Sequence, residues 1–185
     1  MRQIGFWTLM PAILLAASVV PARANLITDP GFESCTNSAT APPGWTASPS
    51  TSFCDATPHN GTYDDTFFGP GTLSQTITTV TGDTYDFSFW LRAGGSPSEF
   101  TASFGSNQVL DLVLPGSFGY TVKDFTVTAT SSSTAILFGG SGFEGAWNLD
   151  DVSVSDVTAP EPASVVLLGA GLLGIAWRLR YQLQH

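Results

Sequence analysis

The chain has 185 residues and carries six basic side chains against fifteen acidic ones, a formal net charge of −9. Four of the basic residues lie near the two ends, so the middle region has only Arg92 and Lys123 against all fifteen acids, a net charge of −13. A region this acidic repels polyanions, which excludes nucleic acid as a partner and makes cations its natural counterpart. The alternative reading is that the acidity only keeps the region soluble.

The first 24 residues have the three parts of a secretory signal peptide. Arg2 supplies a positive start, residues 6–20 are mostly apolar, and Ala22-Arg23-Ala24 has the small-x-small pattern of a cleavage site. We therefore expect export through the Sec machinery, cleavage after Ala24, and a mature chain that begins at Asn25.

Two cysteines, Cys35 and Cys54, follow the expected cleavage site. Because export places them in an oxidising compartment, we expect them to form a disulfide with each other. In the loop-entropy model this bond would stabilise the fold by roughly 3 kcal/mol. Residues 41–45, between the cysteines, contain two prolines and a glycine and are not expected to form regular structure.

The region from the cysteines to residue 158 has the pattern of β-strands. Residues 84–92 alternate between an apolar and a more polar face. Shorter runs with apolar alternation occur at residues 73–77, 100–104, 110–114, 125–129, 135–138 and 147–154. No window has a convincing helical period, and the spacing of the strands is typical of a sandwich or barrel. We predict an all-β fold, a single antiparallel jelly-roll β-sandwich over residues 25–158.

Three segments resemble strands of galactose-binding-like and carbohydrate-binding-module jelly rolls. The segment from Asn25 to Glu33 is similar to their opening strand, residues 73–91 to their central hairpin, and residues 147–154 to their last strand. In those modules the first and last strands often share a structural Ca²⁺. The resemblance implies that Glu33 would hold this ion together with Asp150 or Asp151, and carboxylate oxygens suit Ca²⁺.

Strand parity distinguishes the two aspartates. Asp150 is in phase with Val152 and Val154, so if the valines point inward the carboxylate does too, and an inward carboxylate needs a cation or hydrogen-bond donors. We expect Ca²⁺ with Asp150 as the leading ligand. The alternative is that one aspartate is exposed and the other caps a turn. A second pair, Asp64 and Asp65, is expected at a solvated strand edge.

Sugar-binding jelly rolls stack exposed aromatic rings on pyranose faces, and the leading candidate rings are Trp45 and Trp90. Trp90 lies on the more polar face of its strand, where it either contacts sugar or packs beneath a loop. No catalytic residue is predicted, because His59 is the one histidine of the middle region and is most simply a turn residue. Two alternatives to glycan binding stay open: a passive acidic matrix protein with a calcium-stabilised fold, and a secreted hydrolase.

A rigid turn, an apolar run and a basic end follow one another in the last 26 residues. They are Pro160, Glu161 and Pro162, then residues 163–177, then Arg178 and Arg180. The apolar run would reach about 22 Å as a helix, short of the roughly 30 Å of bilayer hydrocarbon. It has no polar face at helical period, which argues against a buried helix of the sandwich.

This order of features resembles the PEP-CTERM sorting domain, which here would span residues 159–185. In that family a membrane-embedded exosortase recognises the tail, cuts near the Pro-Glu-Pro turn and passes the protein to the cell surface. The resemblance implies an exosortase as partner and an inner-membrane anchor through the C-terminal helix, with the arginines on the cytoplasmic side. After processing, the protein would lie at the cell surface or in the exopolysaccharide matrix. We predict a non-catalytic surface or matrix protein, with glycan binding as the hypothesis for its exported domain.

Overall fold

The computed structural model describes residues 23–35, 41–48, 52–142 and 144–157, together with residues 169, 171 and 172 of the tail. Residues 1–22 of the predicted signal peptide, which spans residues 1–24, lie outside the described residues. So do the residues of the predicted sorting motif, namely Pro160, Glu161, Pro162, Arg178 and Arg180.

Ten strands account for most of the described residues. They are β1 (Thr46–Ser48), β2 (Ser52–Asp55), β3 (Asp64–Phe67), β4 (Gly71–Thr78), β5 (Thr84–Ser96), β6 (Glu99–Phe104), β7 (Asn107–Val113), β8 (Phe118–Thr128), β9 (Ser133–Ser141) and β10 (Glu144–Asp156). The first sheet has the order β1-β4-β9-β6-β7, and the second sheet has the order β2-β3-β10-β5-β8. Every pairing is antiparallel. The predicted all-β sandwich of two antiparallel sheets is confirmed.

The inner faces of the two sheets form one aromatic-rich core. On β5 the side chains of Phe87, Phe89 and Leu91 are completely buried, and they alternate with half-buried residues as the sequence pattern predicts. Phe89 packs against Phe138 of the first sheet, with ring centroids 5.0 Å apart. Each such side chain stabilises the fold by about 1.5–3 kcal/mol through burial, so the core is the main source of stability.

The N-terminal segment does not form the opening strand that the resemblance implies. Asp29 and Phe32 have positive φ angles of 50° and 57°, which are incompatible with an extended strand. The segment is instead bound to β10 by two backbone hydrogen bonds, from Leu26 N–H to the carbonyl of Val154 and from Val152 N–H to the carbonyl of Pro30, both at 2.8 Å, and by side-chain bonds. Asn25 Nδ2 donates to the carbonyl of Val152 at 3.0 Å, and Asn25 Oδ1 accepts from the N–H of Val154 at 3.0 Å. Asn25 is therefore part of the fold, while cleavage between Ala24 and Asn25 stays a prediction.

The two cysteines form the expected disulfide. Cys35 lies at the end of the N-terminal segment and Cys54 lies in β2, with their Cα atoms 6.1 Å apart. The bond ties the N-terminal segment to the outer edge of the second sheet, which confirms the predicted pairing.

A β-bulge in β10 overturns the parity argument for Asp150. Asp150 is paired with Trp90 and Ser153 with Ser88, so the register shifts between Asp150 and Ser153. Asp151 has a φ of 47°, as the bulge requires. The extra residue reverses the phase, so Val152 points into the core while Asp150 lies on the outer face of the second sheet. The carboxylate is nevertheless completely buried.

The expectation that Asp64 and Asp65 lie at a solvated edge is wrong. Both residues are on β3, which is flanked by β2 on one side and β10 on the other, and both are completely buried. Alternation does place them on opposite faces: Asp65 is paired with Leu149 of the inner face, while Asp64 lies on the outer face. Outer-face burial at Asp64 and Asp150 requires a covering segment.

Candidate functional site

A loop covers part of the outer face of the second sheet. This covering loop, residues 56–63, connects β2 to β3. Three carboxylates accept its backbone N–H groups. Asp64 accepts from Thr57 at 3.4 Å, Asp150 from His59 and Asn60 at 2.8 and 3.1 Å, and Glu33 from Thr62 and Tyr63 at 2.7 and 3.1 Å. Acidic side chains from three parts of the chain therefore hold one loop in place.

Asp150, like Asp64, is a completely buried anchor. Its Oδ2 atom accepts from two loop N–H groups, and its Oδ1 atom accepts from the N–H of Asp151 at 2.7 Å. Burial raises the pKa of the Asp150 carboxyl from 3.8 to about 6, although the N–H donors of Asn60, Asp151 and His59 oppose the shift. The folded protein therefore binds a proton at Asp150 more tightly than the unfolded chain does.

Folding stability should rise as the pH falls through the range in which Asp150 titrates. Because its folded-state pKa is the higher one, the stabilisation is complete below pH 3.8 and lost as the pH rises through about 6. We expect a gain of about 1 kcal/mol in unfolding free energy between pH 7.5 and 5, measured by urea unfolding in EDTA. Asp64, whose pKa burial also raises, acts in the same direction.

The control for this pH series is Asp111→Asn, which changes an exposed carboxylate of β7 and should keep the wild-type profile. Asp150→Asn should reduce the pH dependence and leave the contribution of Asp64. A stability that instead increases from pH 5 to 7.5 would contradict the burial argument. The same series without EDTA, in added Ca²⁺, tests calcium binding.

A polar network lies beneath the covering loop. Asn148 Nδ2 lies 2.7 Å from Asp64 Oδ2, 2.8 Å from Thr66 Oγ1 and 3.2 Å from Thr57 Oγ1, and its two N–H groups are shared among these three acceptors. The Tyr120 hydroxyl donates to the same Asp64 oxygen at 2.8 Å. Burial and the adjacent Asp64 charge raise the pKa of Tyr120, so it stays protonated and remains a donor. The network joins β3, β8 and β10 to the loop.

An aromatic cluster lies beside this network. The His59 ring stacks on Trp90, with centroids 3.7 Å apart and planes at 13°, and meets Tyr120 edge-on at 5.5 Å. His59 Nδ1 lies 2.8 Å from Asp151 Oδ2. Trp90 is on the outer face as the alternation predicts, and the covering loop packs on it. One face of its indole ring is therefore occupied by His59.

A cleft of about 530 Å³ opens on the outer face of the second sheet. Its polar lining includes Asp55, Thr57, Arg92 and Asn148, and the ring of Phe68, 53% exposed, also lines it. This volume falls in the range of known ligand sites, roughly 300–1,000 Å³. The cleft and the aromatic cluster share the same face, because Asn148 and Asp150 are paired with Arg92 and Trp90.

Trp45 does not belong to this face. It is only 6% exposed, packs against Phe32 and Phe138, and donates its indole N–H to the carbonyl of Asp29 at 3.2 Å. Because the ring is enclosed by the core, no face of it is available for a sugar. The expectation that Trp45 contacts glycan is therefore corrected.

The expected calcium ligands converge but are engaged by donors. A Cβ atom added at Gly31 would lie 3.6 Å from Asp151 Oδ1, 3.7 Å from Asp150 Oδ1 and 3.9 Å from Glu33 Cγ. Glu33 and Asp150 accept N–H groups, and Asp151 contacts His59. Within the described residues, no three Asp, Glu, His or Cys side chains form a group that could hold a metal ion. The arrangement does not fit Ca²⁺ as it stands, and calcium binding stays a prediction.

Sequence reasoning missed two residues of the cleft, Phe68 and Arg92. Alternation places one of the adjacent rings Phe67 and Phe68 inside and the other outside; Phe67 is completely buried. Arg92 is in phase with Trp90 and is one of two basic residues in the middle region, so the sequence could have predicted that it lies on the same face as Trp90. The convergence of both on one cleft depends on the pairing of β3, β10 and β5.

Residues 158–180 match the PEP-CTERM protein-sorting motif. The sorting tail that the sequence predicts is therefore confirmed. The motif implies an exported protein with a C-terminal anchoring tail, for which an exosortase is the processing partner. In the part of the tail and domain that the structure describes, no helix has the length and apolar character needed to cross a membrane.

The fold is shared with carbohydrate-binding modules. The structure of TmCBM61 in complex with β-1,4-galactotriose matches with a TM-score of 0.52 and 20% identity, over 72% of this chain and 99% of that one. The CBM22-1 xylan-binding domain of Paenibacillus barcinonensis Xyn10C matches with a TM-score of 0.53 and 15% identity, over 77% and 100%. A second CBM22 xylan-binding domain matches with a TM-score of 0.54 and 14% identity, over 74% and 98%. At these identities the likeness shows the jelly-roll fold. Among curated proteins, no relative matches the sequence.

Proposed function

We propose that the chain is a non-catalytic surface protein, processed by an exosortase, whose β-sandwich binds glycan in the outer-face cleft. The observation that carries the glycan proposal is the cleft of about 530 Å³ with an exposed aromatic ring, Phe68, on its lining. The sorting motif at residues 158–180 supports delivery to the cell surface or its exopolysaccharide matrix. After processing, the cleft would lie where extracellular polysaccharide is available.

The composition of the cleft suits a sugar chain. Aromatic rings pack against the apolar faces of sugar rings, and Phe68 is the ring that lines the cleft with half of its surface accessible. Asp55 and Thr57 supply oxygen atoms that accept hydrogen bonds from hydroxyl groups. Trp90 contributes by supporting His59 and the covering loop at one side of the cleft.

The relatives in fold support binding over catalysis, since most are carbohydrate-binding modules. The contacts of His59 agree with this assignment. Its ring lies flat on Trp90 and its Nδ1 contacts Asp151, and among the described residues no serine, threonine or cysteine hydroxyl or thiol bonds to it. The hydrolase alternative has no geometric support at this histidine.

Phe68→Ala should weaken glycan binding by about tenfold, because the sugar loses its apolar contact surface. Trp90→Ala should weaken it to a similar extent by releasing the covering loop. Affinities for a panel of neutral oligosaccharides, including xylan and β-1,4-galactan fragments, would be measured by calorimetry. Val113→Ala, a 65% exposed residue of the first sheet, is the control and should bind as the wild type does.

If the wild type binds no glycan of the panel or of the native matrix, the glycan proposal fails and the protein is a passive acidic component of the surface. Turnover of any oligosaccharide during the titration would contradict the non-catalytic assignment.

A further inference from the structure

Arg92 is a cation that lines the cleft and forms no hydrogen bond or ion pair with the described residues. It lies on the outer face of β5, opposite Asn148, and is half-buried. Within residues 23–35, 41–48, 52–142 and 144–157, no hydrogen bond or ion pair of its guanidinium is formed. Its neighbour Asn148 donates its amide N–H groups to Asp64 and Thr66, and the Asn148 Oδ1 atom accepts no hydrogen bond from Arg92. A half-buried charge usually has a partner, so this one is available to a ligand.

The other basic side chains of the described residues are engaged. Arg23 forms an ion pair with Asp86 at 2.7 Å, and His59 contacts Asp151 at 2.8 Å. The Lys123 ammonium lies 5.2 Å from the centroid of the Phe118 ring. In a region with so many acids, a cation could pair with a carboxylate almost anywhere. Arg92 nevertheless forms no ion pair with a carboxylate of the described residues, although Asp55 lines the same cleft.

Gly94, the next residue on the same face of β5 as Arg92, leaves room that packing of the fold does not require. A Cβ atom added there would meet only the carbonyl oxygen of Ala146, at 3.7 Å, which is ordinary contact, and the residue has no positive φ. Gly145 differs, since its added Cβ would come within 2.7 Å of the Ser96 nitrogen. Packing explains glycine at position 145 but not at position 94. A glycine inside a strand marks either a bulge, and the β5–β8 register shifts between Leu91 and Ala93, or a place that a ligand approaches closely; the open space at Gly94 favours the second.

We propose that the cleft recognises a glycan through a carboxylate group, that of a uronic acid residue, which pairs with the Arg92 guanidinium above Gly94. This inference rests on the proposed glycan binding and names the class of sugar. The planar guanidinium matches a carboxylate with two parallel hydrogen bonds. Neutral sugars on either side would occupy the rest of the cleft, against Phe68 and the acceptor Asp55.

The charge of the domain restricts which acidic glycans bind. Asp55 lines the same cleft and would repel a second carboxylate nearby. The net charge of −13 over the middle region repels a continuous polyanion at longer range. The favoured ligand is therefore a mostly neutral chain with isolated uronic acid residues, rather than a polyuronate.

The test uses a matched pair of ligands that differ only in the carboxyl group. The acidic ligand is a xylan oligosaccharide with a single glucuronic acid branch, and the neutral ligand is the same molecule with that carboxyl reduced to an alcohol. The full chain is titrated with each in a sugar-free detergent. We expect the acidic form to bind at least about tenfold tighter, because a charge-assisted pair forms only with it.

Three variants locate the effect. Arg92→Gln should reduce binding of the acidic form to that of the neutral form, whereas Lys123→Gln, which removes the other cation, should leave the difference intact. Gly94→Val should abolish binding of both forms by filling the floor of the cleft, with an unchanged melting temperature showing that the fold is kept. Polygalacturonate should bind more weakly than the singly branched oligosaccharide.

Equal affinity of the wild type for the two forms would overturn the uronic acid inference and leave the proposed glycan binding in place. The same conclusion follows if Arg92→Gln and Lys123→Gln lose equal affinity for the acidic oligosaccharide, because the preference would then come from the overall charge of the domain and not from Arg92. Tighter binding of polygalacturonate would overturn the preference for isolated carboxylates. If the protein binds neither form and no other glycan, both proposals are overturned.

Discussion

A chain with Pro160, Glu161 and Pro162 replaced by alanine should retain its C-terminal tail in the cell. Each proline fixes its own φ angle and removes a backbone N–H, and three alanines, which are strong helix formers, would remove both restrictions. An enzyme that reads the turn would then lose its substrate. Mass spectrometry of surface and membrane fractions should show wild-type protein that ends near Pro162 and a variant that still contains Arg178 and Arg180. We expect nearly complete loss of processing.

The control for the tail experiment is Gln182→Ala/Gln184→Ala, which lies beyond the matched residues 158–180 and should be processed normally. If the wild type also keeps both arginines and stays in the membrane, the tail is only an anchor and exosortase processing is refuted. Processing of the alanine variant at the wild-type site would show instead that the turn is not what the enzyme reads.

The second large effect is expected at Asn148. Asn148→Leu removes donors to Asp64, Thr66 and Thr57 and leaves the Asp64 carboxylate buried with fewer partners. Hydrogen bonds to a charged group are worth about 1.5–3 kcal/mol, and a buried acceptor that loses its donor is costly in addition. We expect unfolding free energy to fall by about 3 kcal/mol, measured by urea unfolding at neutral pH.

Two further variants show whether the loss at Asn148 comes from the network. Asn107→Ala changes an exposed asparagine of β7 and should alter stability by no more than about 0.5 kcal/mol. The double variant Asp64→Leu/Asn148→Leu should be less destabilised than the sum of the single variants, because the second change removes the carboxylate that the first leaves unsatisfied. Strict additivity would mean that the two side chains act independently and would contradict the account.

Local patterns in the sequence predicted the features that depend on local causes. The alternation of residues 84–92 predicted β5 and its buried face, because the side chains of a strand point to opposite sides in turn. The pairing of Cys35 with Cys54 followed from their number and the expected compartment. The sorting tail was predicted from a turn, an apolar run and a basic end, which act as a linear signal and need no tertiary structure.

The tertiary structure decided the features that depend on distant segments. One extra residue at Asp151 reversed the phase of β10, and no pattern in residues 147–154 announces a bulge. Asp64 and Asp150 are buried because the covering loop folds over the second sheet. The loop is held by its backbone N–H groups, which leave no signal in the sequence. Alternation already placed Trp90 on the outer face, whereas only the tertiary structure shows that Trp45 is enclosed by the core. The cleft exists only because β3, β5 and β10 bring Phe68, Arg92 and Asn148 together, and such non-local pairing is invisible to a pattern that extends over a few residues.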